Sequence, residues 1–144
     1  NPVPQPESTL NKLNLNNDVI ADKELINKAF LLYTYKIIDN RTEKEFQGAT
    51  PYGSPRAGHI PNAIHIHWPE FYNEDGTLKS LPALQSLLDK NKIRKDQEII
   101  VYCTGGVRSA MAYFVFRYLG YNVRNYDGSW WDWSRSAYPV ELSE

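Results

Sequence analysis

The chain holds a single cysteine, and its neighbours are those a reactive thiol needs. Cys103 lies in the segment from Ile99 to Ala110, IIVYCTGGVRSA. The apolar run before it reads as a strand buried on both faces, ending at Tyr102. A Gly-containing loop follows, and a helix is expected to open at Ser109 or Ala110. In open α/β sheets ligands bind beyond the carboxyl ends of the strands, which is where this loop must lie. If the stretch from Cys103 to Arg108 curls back on itself, its backbone N–H groups converge. Gly105 and Gly106 permit such a curl, because glycine tolerates positive φ and close approach of backbone to a ligand. The product is an anion-binding nest, reinforced by the helix N-terminus. The helix end, the inward N–H groups and Arg108 all favour thiolate over thiol. The chemistry implied is nucleophilic attack by Cys103 on an anionic substrate.

Each residue also has a plainer role. A lone cysteine is commonly a small buried hydrophobe. The strand end, Gly-Gly loop, closing arginine and helix start argue against that here. Arg108 read plainly is a solvated arginine. An arginine sits poorly at the positive end of a helix dipole, however, unless an anion or carboxylate is near. Ser109 reads first as a helix cap and second as a hydroxyl donor to the site.

The rest of the chain supplies elements that alternate between strand and helix, which implies a mostly parallel sheet with helices on both sides. Asp22 caps a helix through Glu24 to Leu32, with Leu25, Ile26, Ala29 and Phe30 on one face. Tyr35 to Asp39 reads as a strand. Thr42 with Glu45 makes a capping box. Ala49 to Gly58 is a loop, Ala63 to His67 a strand, and Asn73 to Gly76 a turn. Ser80 caps a helix with Pro82 in its first turn. Gly120 stops the helix after the cysteine loop. Val123 to Tyr126 is a last strand, and Ser129 caps a Trp-rich helical turn. Residues 1–17 are rich in Pro and Asn and read as a tail or linker; residues 18–144 form one domain.

Composition narrows the function classes. The chain has 144 residues and a net charge of −1, which disfavours a globally basic nucleic-acid binder. No apolar run approaches the roughly 20 residues of a membrane span, so no membrane partner is expected. A single cysteine excludes an internal disulfide framework and a Cys-rich zinc site. No signal peptide is evident in the chain as given. Cytoplasmic residence is the expectation, with a periplasmic or exported mature form left open. His65 and His67 share a strand face but lack further ligands, so packing or surface is the better reading and no metal is expected. His59 is expected to fix its turn, and Asp39 with Arg41 to form a structural ion pair. Trp130, Trp131 and Trp133 are expected in the core and in a pocket wall, one of them near Cys103.

CTGGVRS followed by an amphipathic helix resembles the active-site loop of the rhodanese family of sulfurtransferases. Other segments agree in order and spacing. IIDNR followed by EF resembles the family's strand-one Asp-x-Arg signature, here Asp39 and Arg41. GHIPNA, Gly58 to Ala63, resembles its Gly-His-Ile-Pro-Gly-Ala turn, with Asn62 in place of a glycine. YDGSWWDWS, the NEDG turn and the Trp68-Pro69 pair resemble the catalytic C-terminal domain of tandem thiosulfate and mercaptopyruvate sulfurtransferases. The likeness runs from about Asp18 to Glu141.

The resemblance implies an α/β fold with a central parallel five-stranded sheet. It implies a ping-pong cycle in which Cys103 becomes a persulfide, with no other cofactor. A small anionic sulfur donor loads the thiolate; cyanide or a thiol unloads it. The N–H groups of Thr104, Gly105, Gly106, Val107, Arg108 and Ser109 would cradle the persulfide, and Arg108 would face the donor. It also implies an N-terminal sister domain. The Cys-x4-Arg spacing is one residue shorter than in the related phosphatases and arsenate reductases, which favours sulfur transfer. The loop lacks the basic pair of thiosulfate-type loops. Glu45 stands where tandem members place a substrate-binding arginine, which disfavours mercaptopyruvate. Arg56 is the candidate to substitute as anion clamp, with a solvated loop arginine as its plainer reading. Thiosulfate or another sulfane donor is the expected substrate. The alternatives are a Cys-based phosphatase or arsenate reductase, and a module that carries sulfur or binds protein without turnover.

Overall fold

A computed structural model describes residues 16–143. The tail expected over residues 1–17 therefore lies outside the described residues except for Asn16 and Asn17, which open a 3₁₀ turn at Asn17–Val19. Four parallel strands carry the site: β1 (Tyr35–Asp39), β2 (Ile64–His65), β3 (Glu98–Tyr102) and β4 (Asn122–Asn125), in the order β2-β1-β3-β4. Their carboxyl ends share one edge of the sheet. The chain runs outward from β1 to β2, then crosses back to place β3 on the other side of β1. The strand order thus reverses between β1 and β3, and such a reversal opens a crevice at the carboxyl edge. Cys103 follows β3 directly, beside that crevice.

Among the described residues the five-stranded expectation becomes four strands with a remnant. Ile20 bridges Asn125 in parallel beyond β4, and the Ala21 N–H donates to the Asn125 carbonyl at 2.9 Å. The chain is extended there for too few residues to form a strand, because the 3₁₀ turn precedes it and Asp22 already caps the next helix. β2 is likewise shorter than the expected Ala63 to His67. Asn62 sits at φ 60 before it, and the 3₁₀ turn Trp68–Phe71 with Pro69 follows it. Ile66 N–H still donates to the Asp39 carbonyl at 3.0 Å, so the edge is held one residue further.

Helices cover both faces. α1 (Lys23–Ala29) is capped by the Asp22 side chain, which accepts from Leu25 N–H, and ends short of the expected Leu32. α2 (Glu43–Phe46) is opened by the Thr42–Glu45 capping box. α3 (Leu81–Lys90) starts at Ser80 with Pro82 in its first turn. α4 (Val107–Tyr118) follows the cysteine loop, and α5 (Ser129–Trp133) holds the tryptophans.

Side chains alternate across β3, which explains why EIIVY is apolar throughout. Ile99 and Val101 face α3 and α4, among Leu84, Leu88, Val115 and Phe116. Ile100 and Tyr102 face α1 and α5, among Ile26, Ala29, Trp130 and Trp133.

The Asp39–Arg41 pair proves structural. The Arg41 guanidinium is 1 % exposed, its Nη2 lies 2.7 Å from Asp39 Oδ2, and it also donates to the Gly58 carbonyl at 2.7 Å. Its Cζ lies 4.6 Å from the Trp130 ring centroid. A buried charge of this kind is tolerable only when paired and fully hydrogen-bonded. Arg41 thereby ties the end of β1 to the turn at Gly58, where φ is 101 and a Cβ would stand 2.3 Å from the Glu141 carbonyl oxygen. His59 fixes the same turn, its Nδ1 2.9 Å from the Phe46 carbonyl oxygen and its ring stacked on Phe46. Arg41→Ala leaves the Asp39 carboxylate buried without its partner. Urea unfolding should show a loss of about 3–5 kcal/mol; a loss below about 1 kcal/mol would contradict this account of the pair.

Candidate active site

The loop after β3 is held from outside by its carbonyls. Cys103 and Thr104 carbonyls accept from the N–H groups of Trp130 and Trp131, each at 3.0 Å. The Gly106 carbonyl accepts from Ala110 N–H at 3.1 Å and from the Asn125 side chain at 3.2 Å. The Cys103 N–H donates to Ser129 Oγ at 3.1 Å, and that hydroxyl donates to the Tyr126 carbonyl at 2.6 Å. Ser129 is the first residue of α5 rather than its cap, and its φ of 50 is an unusual conformation held by these two bonds. With these carbonyls engaged outward, the N–H groups of Gly105, Gly106 and Ser109 turn toward the sulfur.

Helix α4 starts two residues earlier than the expected Ser109. Gly106 is the capping residue at φ 87, and a Cβ on it would meet the Asp127 carbonyl oxygen at 2.8 Å, so only glycine fits. The early start moves Arg108 and Ser109 into the first helical turn. Ser109 is therefore not the cap. Its hydroxyl stands 3.0 Å from the Gly106 carbonyl oxygen and 3.6 Å from Cys103 Sγ. A hydroxyl has one proton and must choose between them; a thiolate, as the stronger acceptor, draws it to sulfur.

Cys103 is 1 % exposed, and its Sγ accepts from Gly106 N–H at 3.2 Å. Burial pushes the thiol pKa up. The Ser109 hydroxyl, the N–H groups of Ser109 and Gly105 and the charge of Arg108 outweigh burial, and the net direction is downward. These donors would serve equally for the terminal sulfur of a persulfide.

Arg108 does not point a free charge at the site. Its Nη1 and Nη2 grip the two Glu45 carboxylate oxygens, each at 2.8 Å. Thr104 Oγ1 joins the cluster, donating to Glu45 Oε1 at 2.8 Å and accepting from Arg108 Nη2 at 2.6 Å. Arg108, expected to face the anionic donor, is instead paired with a carboxylate of this chain, Glu45, brought from α2 across the crevice between β1 and β3. Burial pushes the Glu45 carboxyl up, but Arg108, the Thr42 N–H and the Thr104 hydroxyl bring it down to about 2.

Above the thiol lies a pocket of about 190 Å³ lined by Tyr52, Cys103, Thr104, Gly105, Val107, Arg108 and Trp131. Trp131 is the tryptophan beside the cysteine, while Trp130 and Trp133 are buried. Tyr52 was not foreseen; it comes from the loop before β2, where no local pattern marks it. Arg56 does not serve as an anion clamp in this geometry. Its guanidinium donates to the carbonyls of Trp133, Ser134, Ser136 and Tyr138 at 2.8–3.0 Å and is absent from the pocket lining. Those acceptors use its donors to fasten the segment after α5. Among the described residues no group of three or more His, Cys, Asp and Glu could hold a metal ion.

A family model for the rhodanese-like domain matches residues 22–136. The chain belongs to the rhodanese family. A sulfur carrier protein, TtuD, of Thermus thermophilus is 42% identical over 106 residues, 67% of this chain and 37% of that protein. A thiosulfate sulfurtransferase of Corynebacterium glutamicum is 36% identical over 118 residues, 75% of this chain and 38% of that protein. A crystal structure of a probable thiosulfate sulfurtransferase superposes with a TM-score of 0.71 at 31% identity, covering 88% of this chain and 49% of that one. The chain thus spans about two fifths of the length of these curated relatives.

Two measurements test the site of this rhodanese-like domain. Alkylation of Cys103 by iodoacetamide, followed against pH, should show a midpoint below the ordinary thiol value of about 8.5, and Ser109→Ala should move it upward. A midpoint above that value would mean burial dominates. Glu45 tests the ion pair. Between its ordinary value of 4.5 and its folded value of about 2 the unfolded chain binds more protons. Its contribution is therefore complete above the ordinary value and lost as pH falls toward the folded one, on the order of 3 kcal/mol. Urea midpoints across this window should fall less steeply for Glu45→Gln than for the parent chain.

Proposed function

We propose that this rhodanese-like domain is a sulfurtransferase that moves a sulfane sulfur from thiosulfate, or a related donor, through a Cys103 persulfide to a thiophilic acceptor. The observation that carries this reading is the Cys103 sulfur at the base of a small pocket, ringed by N–H and O–H donors that favour an anionic sulfur. The Cys103 thiolate attacks the outer sulfur of thiosulfate. The S–S bond of the donor breaks and sulfite leaves with the bonding pair. Cyanide or a thiolate then attacks the terminal persulfide sulfur, and Cys103 departs as thiolate. The N–H groups of Gly105, Gly106 and Ser109 and the Ser109 hydroxyl hold the anionic sulfur between the half-reactions. The persulfide itself is the carrier, and the proposed cycle uses no resident cofactor.

The phosphatase or arsenate-reductase reading finds less support. The related enzymes of that chemistry have one more residue between cysteine and arginine than the Cys103 to Arg108 spacing here, a wider ring suited to phosphate or arsenate. A sulfur-carrier role keeps support from the relative named as a carrier. It differs in turnover rather than in loading. An N-terminal sister domain and a cytoplasmic setting belong to the same proposal.

Intact mass before and after thiosulfate, with a cyanide chase read as thiocyanate, tests it. One added sulfur on Cys103, removed by cyanide, is the expected result; Cys103→Ser should take up none while keeping the circular-dichroism spectrum of the parent. Loading with negligible steady-state turnover would favour the carrier. Failure to load from any sulfane donor, with hydrolysis of an aryl phosphate, would sink the proposal.

A further inference from the structure

Resting on the sulfurtransferase reading, we propose that the acceptor is a small organic thiol whose apolar, ring-sized group lies between Tyr52, Trp131 and Val107. These side chains stand at the mouth of the pocket and are 57%, 43% and 79% exposed. An exposed aromatic or aliphatic residue is ordinary by itself; three around the opening that leads to a nucleophile form a surface that gains by being covered.

The aromatic walls are fixed in place. The Trp131 indole packs against Gly105, so close that a Cβ there would fall 2.7 Å from its ring. Its Nε1 donates to the Tyr52 carbonyl at 3.2 Å, joining the two walls. The Tyr52 ring lies 5.4 Å from the Arg108 guanidinium carbon, which anchors it from below. Glycine at position 105 lets the indole approach the loop, and so sets the wall near the sulfur.

The electrostatics point the same way. Among the described residues Arg108 is the one Lys, Arg, Asp or Glu in the lining, and Glu45 engages its Nη1 and Nη2. The outer pocket is walled by aromatic and aliphatic side chains. An apolar group gains from the same surface. The volume of about 190 Å³ suits one ring and the carbon that bears the thiol, since cavities of roughly 150 Å³ already accept benzene.

The half-reaction balances without another reagent. The acceptor thiolate attacks the terminal sulfur of the Cys103 persulfide. A new S–S bond forms on the acceptor, the Cys103 S–S bond breaks, and its electron pair stays on Cys103. The organic persulfide leaves, and no net oxidation or reduction occurs.

The test starts from protein whose persulfide has been confirmed by intact mass, so failure to load is seen before, and apart from, failure of this inference. Single-turnover discharge is followed with phenylmethanethiol and with 2-mercaptoethanesulfonate, each rate corrected to its thiolate concentration. The parent chain should prefer the aromatic thiol by about tenfold, the scale expected for burying part of one ring. Trp131→Ala, and Tyr52→Ala as a second variant, should bring the ratio of the two rates toward unity. Equal corrected rates in the parent chain, a preference for the sulfonate, or a ratio unmoved by both variants would overturn the inference.

Discussion

The carboxylate of Glu45 reaches across the crevice between β1 and β3 and takes both ends of the Arg108 guanidinium. Few contacts in the molecule join so many features. It couples the capping box of α2 to the first turn of α4. It fixes the Thr104 hydroxyl between the two charges. It also offsets the positive charge that a helix N-terminus tolerates poorly, so the larger part of the attraction for an anion comes from the N–H and O–H groups aimed at the sulfur, with Arg108 adding to it. The pocket above the thiol consequently has polar donors at its base and apolar walls at its mouth.

The cysteine loop shows how backbone polarity is sorted. The carbonyls of Cys103, Thr104 and Gly106 leave the ring and bond to α5, to β4 and to the loop's own helix; the N–H groups of Gly105, Gly106 and Ser109 turn to the sulfur, while that of Cys103 is held from outside by Ser129. That division depends on Gly106, because its positive φ reverses the chain direction between strand and helix. It depends equally on Ser129, whose hydroxyl sits under the Cys103 N–H. A thiolate in so buried a position would ordinarily be unfavourable. Preset donors, already oriented by the fold, offset the water it has lost.

Much of this was legible in the sequence because the signals were local. Asp22, Thr42 with Glu45, and Ser80 mark helix starts by side-chain chemistry that acts within a few residues. The apolar run before Cys103 identified the central strand, and Cys103 with Gly105, Gly106 and Arg108 identified the loop. What sequence could not show was contact at long range. Glu45 was visible as a capping residue and as a departure from an expected arginine, yet its pairing with a residue 63 positions away needs the strand order. Arg56 was drawn toward the site by its charge, whereas the fold spends its donors on four carbonyls of the segment after α5. The fifth strand failed for a local reason: a 3₁₀ turn and a helix cap crowd Ile20 from both sides. The early start of α4 was hidden because Gly106 acts through its backbone angle rather than through a capping side chain.

The turn at Gly58 has a mechanical meaning. Its carbonyl receives Arg41 from the end of β1, while the next residue, His59, exchanges both backbone hydrogen bonds with Glu141. The C-terminal segment and the buried Asp39–Arg41 pair are thus fastened to opposite ends of one short piece of backbone. Tension applied along the chain at Glu141 has a short path through that piece to the end of β1, next to the crevice. The end of the domain is therefore a lever on its centre.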